Sequence, residues 1–149
     1  MPEGVASPYP VEVVWEGGMR YRGGPQGGPT HLVDGDRQAA PSPVDSLVVA
    51  IASCSAIDVV EVLNKRRTPP AALRVRAEFS RAPEPPRRLT DVRLVYTVAA
   101  DSDRSHVERA IQLSFDRYCS VIHSLAPDTR LAWELEMEAA PAAPAEAAG

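Results

Sequence analysis

The chain is poor in lysine, in cysteine and in aromatic residues, and each shortage excludes something. Lys65 is its only lysine among 16 basic residues, and the formal net charge is −4. A protein built to neutralise phosphates needs a clustered basic surface, so nucleic acid is not expected as a partner. The two cysteines, Cys54 and Cys119, form neither a C-x-x-C nor a zinc knuckle, so no metal or other cofactor is called for. In a reducing compartment a permanent disulfide between them is not expected either. No charged start precedes an apolar run at the N-terminus, and the longest apolar stretch reads as too broken to cross a bilayer. The expectation is a cytoplasmic protein with no membrane partner.

What the chain does have is one long apolar helix signal, Ser42 to Arg67, reading SPVDSLVVAIASCSAIDVVEVLNKRR. Ser42 suits the N-cap, Pro43 the first helical position, and Asp45 the carboxylate of a capping box. Lys65, Arg66 and Arg67 complement the negative end of the helix dipole, and Thr68-Pro69-Pro70 cannot continue it. The helix would be about 36 Å long at 1.5 Å per residue. A chain of 149 residues has few elements with which to wrap so apolar a rod. A homodimer with this helix near its interface is therefore expected.

The remaining elements follow from periodicity. Val11 to Glu16 and a run from Met19 flank Gly17-Gly18 as a β-hairpin. Residues 23–29 read as a flexible loop, and Thr30 to Val33 as a third strand. Leu73 to Phe79 and Val92 to Val98 alternate as two half-buried strands. A second helix is expected from Ser105, capped with Glu108, along Val107, Ala110, Ile111, Ser114, Phe115 and Tyr118, with Cys119 at its far end. Val121, Ile122 and Leu125 suggest a short turn, and RLAWELEME is the cleanest strand. The predicted order is βββ-α-ββ-α-β, an α+β fold in one domain over 11–138, between a flexible 1–10 and a disordered Ala/Pro-rich tail at 139–149.

Both cysteines lie in distinctive surroundings, ASCSAIDVV and DRYCSVIHSL. With the hairpin WEGGMRYRG and the long apolar helix, they resemble the OsmC/Ohr family of thiol-dependent hydroperoxide reductases, in particular its OsmC-like branch. The resemblance covers roughly 11 to 138 and implies an intertwined homodimer with a long central helix against twisted antiparallel sheets. It implies that Cys54 attacks an organic hydroperoxide to give a sulfenic acid, that Cys119 resolves it as a disulfide, and that a dithiol or lipoyl-type reductant reopens the bond.

Such a thiol needs a cation, because burial alone raises a cysteine's pKa. The resemblance implies an arginine following the first strand, steered by an acid from the start of the central helix. Arg20 is the nearest match for the first, with Arg37 as the fallback, and Asp45 for the second. Asp58, one turn after Cys54, opposes ionisation of the thiol unless an arginine or lysine pairs with it. The alternative to a peroxidase is a non-enzymatic protein of the same fold that binds a small hydrophobic molecule in a cleft between subunits.

Overall fold

Strands β1 (Val11–Gly17) and β2 (Arg20–Pro25) form the expected hairpin. Its turn uses Gly17 at φ +103° and Gly18 at φ +56°, conformations that residues with a Cβ adopt only with strain. Trp15 faces Tyr21 across the pair, and its indole N–H donates to the Gly18 carbonyl at 2.9 Å. The loop expected at 23–29 begins later, because β2 runs through Gly23 and Gly24 to Pro25. A Cβ at Gly24 would lie 2.2 Å from the Pro29 carbonyl oxygen, so glycine here permits a close backbone approach. Strand β3 (His31–Asp34) pairs antiparallel with β2.

The polar stretch after β3 is organised by the buried Asp34. Its carboxylate accepts the backbone N–H groups of Asp36, Gln38 and Ala39 at 2.9, 3.2 and 2.9 Å. Those amides hold the Asp34 pKa below the usual carboxylate range.

Helix α1 (Pro43–Lys65) starts with the capping box read from the sequence. The Asp45 N–H donates to Ser42 Oγ at 3.1 Å, and the Ser42 N–H donates to Asp45 Oδ2 at 3.1 Å. With mean hydropathy 2.0, α1 is long and apolar enough by length and composition to cross a membrane, which corrects the sequence reading. The same composition serves a core helix. Val48, Ile51, Ser55, Val59 and Leu63 recur at helical spacing as one buried stripe.

Strands β4 (Ala72–Arg81) and β5 (Leu89–Ala99) pair antiparallel, and β5 is buried over most of its length. Strand β6 (Arg130–Glu138) joins the other edge of β5 in parallel register, so the second sheet is mixed rather than antiparallel throughout. The reason is connectivity: β5 returns to β6 through a helical crossover, and such a connection leaves the strands parallel. That crossover begins with α2 (Arg104–Leu113), whose buried residues are Val107, Ala110 and Ile111.

The capping box expected at Ser105 is absent. Helix α2 starts one residue earlier, with Asp103 as an N-cap that makes no side-chain cap, and Arg104 holds Glu108 at 2.8 Å. A π turn (Ser114–Tyr118) follows, and after Cys119 comes a short 3-10 turn (Ile122–Ser124).

The computed structural model describes residues 3–139. Residues 3–10 carry neither helix nor strand, and most of the tail expected to be disordered, 140–149, lies outside the described residues. The chain clusters into two compact units, Met1–Leu47 and Val48–Gly149. The first sheet belongs to the N-terminal unit. The second sheet, most of α1 and both cysteines belong to the C-terminal one.

Candidate functional site

Within the C-terminal unit the two cysteines meet as free thiols. Cys54 is half-buried on α1, and Cys119 is fully buried. The π turn gives the chain one extra residue per turn at the end of α2, a feature common at functional sites. Cys119 follows it in extended conformation, with its N–H donating to the Ser114 carbonyl at 2.9 Å. The Ile122 N–H points at the Cys119 sulfur, 3.4 Å away. Burial pushes the Cys119 thiol up to about 11, and contact with the Cys54 thiol adds to the rise against the opposing pull of the Ile122 amide. At neutral pH Cys119 is held as a protonated thiol near Cys54.

Beside the thiols runs a line of buried polar groups that the sequence reading did not single out. Ser114 Oγ lies 2.8 Å from Asp58 Oδ2 and 2.9 Å from Ser55 Oγ, and Ser55 is in turn hydrogen-bonded to the Tyr96 hydroxyl. Ser55, Ser114 and Tyr96 are each fully buried. Ser114 has one hydroxyl proton, and an ionised carboxylate only accepts. Ser114 therefore donates to Asp58, Ser55 to Ser114, and Tyr96 to Ser55. Burial pushes the Tyr96 phenol up, which keeps it a donor.

The signal that could have found these residues is a polar side chain inside an apolar stripe. Ser55 interrupts Val48-Ile51-Val59-Leu63, and Ser114 extends Val107-Ala110-Ile111. An ion pair with an arginine or lysine is what would stop Asp58 from opposing ionisation of the Cys54 thiol. Among the described residues Asp58 has none, and it takes the Ser114 hydroxyl instead.

Asp58 also borders a groove of about 580 Å³. Glu61, Lys65 and Arg66 reach it from α1, His106 and Arg109 from α2, and Tyr118 from the π turn. The Arg66 guanidinium lies 2.9 Å from the His106 ring, whereas Lys65 and Arg109 have no carboxylate partner among the described residues.

The other residues implied by the resemblance lie in the N-terminal unit. Asp45 is gripped by Arg37 through two bonds, 2.7 Å to Oδ2 and 3.0 Å to Oδ1. This guanidinium, with help from Ser42, lowers the Asp45 pKa to about 2. Arg37 is held at φ +56°, a left-handed conformation that costs a non-glycine residue energy and recurs at functional sites. Arg20 instead lies 3.5 Å from Asp34. Of the two arginines, Arg37 is the one joined to the helix-start acid.

The profile of the OsmC-like protein family matches residues 34–134. Protein YhfA of Escherichia coli K12 is 35% identical over 132 residues, covering 87% of this chain and 98% of that protein. Among solved structures, a hypothetical protein from Aquifex aeolicus superposes with a TM-score of 0.77 at 24% identity, covering 89% of this chain and 99% of that one. The organic hydroperoxide resistance protein OhrB of Bacillus subtilis superposes with a TM-score of 0.61 at 14% identity, covering 86% and 97%. At such identities the structural likenesses speak for the fold alone.

Proposed function

Since the chain belongs to the OsmC-like family, we propose that it is a cysteine-based peroxidase that reduces organic hydroperoxides. The observation that carries this reading is the pairing of a half-exposed free thiol, Cys54, with a buried free thiol, Cys119, near enough for Cys54 to help raise the Cys119 pKa. The Cys54 thiolate attacks the terminal oxygen of the hydroperoxide. A sulfur–oxygen bond forms, the O–O bond breaks, and the departing alkoxide takes a proton and leaves as the alcohol. Cys119 then attacks the sulfenic sulfur, water leaves, and an external dithiol, of the lipoyl type or another, reduces the disulfide. Holding Cys119 protonated until that second step keeps one thiol in reserve.

The resemblance implies an activating arginine for which Arg20 and Arg37 are the candidates, and Arg37 is the one paired with the helix-start acid. Arg37 is the guanidinium that Asp45 fixes in a bidentate pair, and its backbone is held in a costly conformation. Arg20 is already engaged by Asp34, a residue that organises the following turn. A homodimer belongs to the same proposal, because α1 leaves Leu47, Val49 and Ile57 exposed.

Stopped-flow mixing of reduced protein with cumene hydroperoxide tests the reading. The expected result is loss of both thiols, with Cys54→Ser inert and Cys119→Ser stopping at a sulfenic acid that dimedone traps. No loss of thiol on exposure to the peroxide overturns it in favour of a binding protein of the same fold. Arg37→Gln should lower the rate by about tenfold or more, as expected for losing electrostatic activation of the nucleophile, and Arg20→Gln by less.

A further inference from the structure

We propose that Asp58 takes the thiol proton of Cys54 and passes it to the departing alkoxide, with Ser114, Ser55 and Tyr96 as positioning residues that hold its carboxylate in place. The proposal rests on the peroxidase reading for the second half of that transfer and on the geometry alone for the first.

Cys54 and Asp58 stand one turn apart on α1, so their side chains are neighbours on one face, with Cβ atoms about 5–6 Å apart. Asp58 Oδ2 is occupied by the Ser114 hydroxyl at 2.8 Å, while Oδ1 has no hydrogen-bond partner among the described residues. One oxygen is tethered and the other is available. No arginine or lysine forms an ion pair with the carboxylate among the described residues, so no cation occupies its second oxygen.

Three buried hydroxyls serve this one carboxylate in series, and packing does not require them. Alanine, valine or phenylalanine at these positions would fill the core without a polar group to satisfy. The line runs from the core of the sheet at Tyr96, through α1 and the π turn, to a carboxylate that borders the groove. At the groove it can exchange protons with solvent.

The step balances. The S–H bond of Cys54 breaks and Asp58 Oδ1 gains the proton. The thiolate then forms its bond to the terminal peroxide oxygen, the sulfur is oxidised by two electrons, and the O–O bond is reduced. The alkoxide removes the proton from Asp58, which returns to its starting charge.

A merely electrostatic role for Asp58 predicts the opposite sign, which makes the proposal testable without peroxide. Removing a negative charge beside a thiol makes it more acidic and faster to alkylate at pH 7; removing its base makes it slower. In a Cys119→Ser background, iodoacetamide reads Cys54 alone. Asp58→Asn is expected to slow alkylation at pH 7 at least tenfold, the low end for general-base effects, and Asp58→Glu to recover most of the rate. An unchanged or increased rate in Asp58→Asn overturns the proposal.

Should Asp58→Asn not fold, as judged by its thermal melt, Ser114→Ala keeps the carboxylate and removes its tether. A rate reduced about threefold is then expected from a less well-placed base, and a rate equal to the parent overturns the proposal. A wild type inert to cumene hydroperoxide but slowed in alkylation by Asp58→Asn would refute the peroxidase reading and leave the proton acceptor standing.

Discussion

At the scale of single residues, the two thiols are separated by their surroundings rather than by their chemistry. Cys54 is half-buried and Cys119 is sealed. In the native reduced protein, iodoacetamide at pH 8 is therefore expected to modify one thiol per chain within minutes, and two after denaturation in urea; mass spectrometry counts them. The raised Cys119 pKa has a further consequence for stability. Its folded value of about 11 lies above the ordinary thiol value of 9.0, so its contribution is fully present below about pH 9 and is lost as pH rises through about 11. The urea midpoint of wild type should fall more steeply between pH 9 and 11 than that of Cys119→Ala. The importance of both cysteines was legible in the sequence because their neighbours are distinctive. The hydroxyl line was not legible, because Ser55 meets Tyr96 across 41 positions and Ser114 across 59. Nothing local marks such a meeting except a polar residue in an apolar stripe.

At the scale of elements, legibility followed the locality of the forces. The start of α1 is decided within four residues, and both halves of the Ser42/Asp45 capping box form as read. Removing the cap with Ser42→Ala is expected to cost about 1 kcal/mol. That corresponds to a fall of about 2–4 °C in a thermal melt of a chain this size. The Asp45 pKa of about 2 lies below the ordinary 3.8, so its contribution is present above about pH 4 and is lost as pH falls through about 2. The melting temperature of Arg37→Gln should accordingly be less sensitive than wild type to acidification from pH 4 to pH 2. By contrast, α2 carries a similar capping sequence that is not used: the helix begins one residue before Ser105, and Glu108 pairs with Arg104 along it. The π turn and the parallel pairing of β6 depend on how distant segments pack, so periodicity alone does not reveal them. In the case of β6, alternation identified the strand but not its direction.

At the scale of the whole molecule, the decisive quantity is apolar surface left in water. On β1, Val13 is 61% and Trp15 63% exposed, and on α1, Val49 and Ile57 are each 59% exposed. Covering a side chain of this kind fully is worth roughly 1.5–3 kcal/mol, so the exposed surfaces of the two units hold a substantial drive toward association. In the proposed homodimer a second copy of this chain would meet that demand with the same residues, as a two-fold interface requires. The proposed dimer is expected to run in gel filtration with light scattering at twice the chain mass of 16.0 kDa. Ile57→Glu tests whether α1 is part of the seam. Its side chain is largely exposed in the single chain, so the substitution leaves the buried stripe intact. In the dimer it would place a carboxylate in an apolar contact, where an unpaired charge is strongly disfavoured. The expected outcome is a variant with wild-type circular dichroism that elutes as a monomer at micromolar concentration. A wild type that is already monomeric there would remove the dimer from the proposal, whereas an Ile57→Glu variant that remains dimeric would move the seam away from this face of α1.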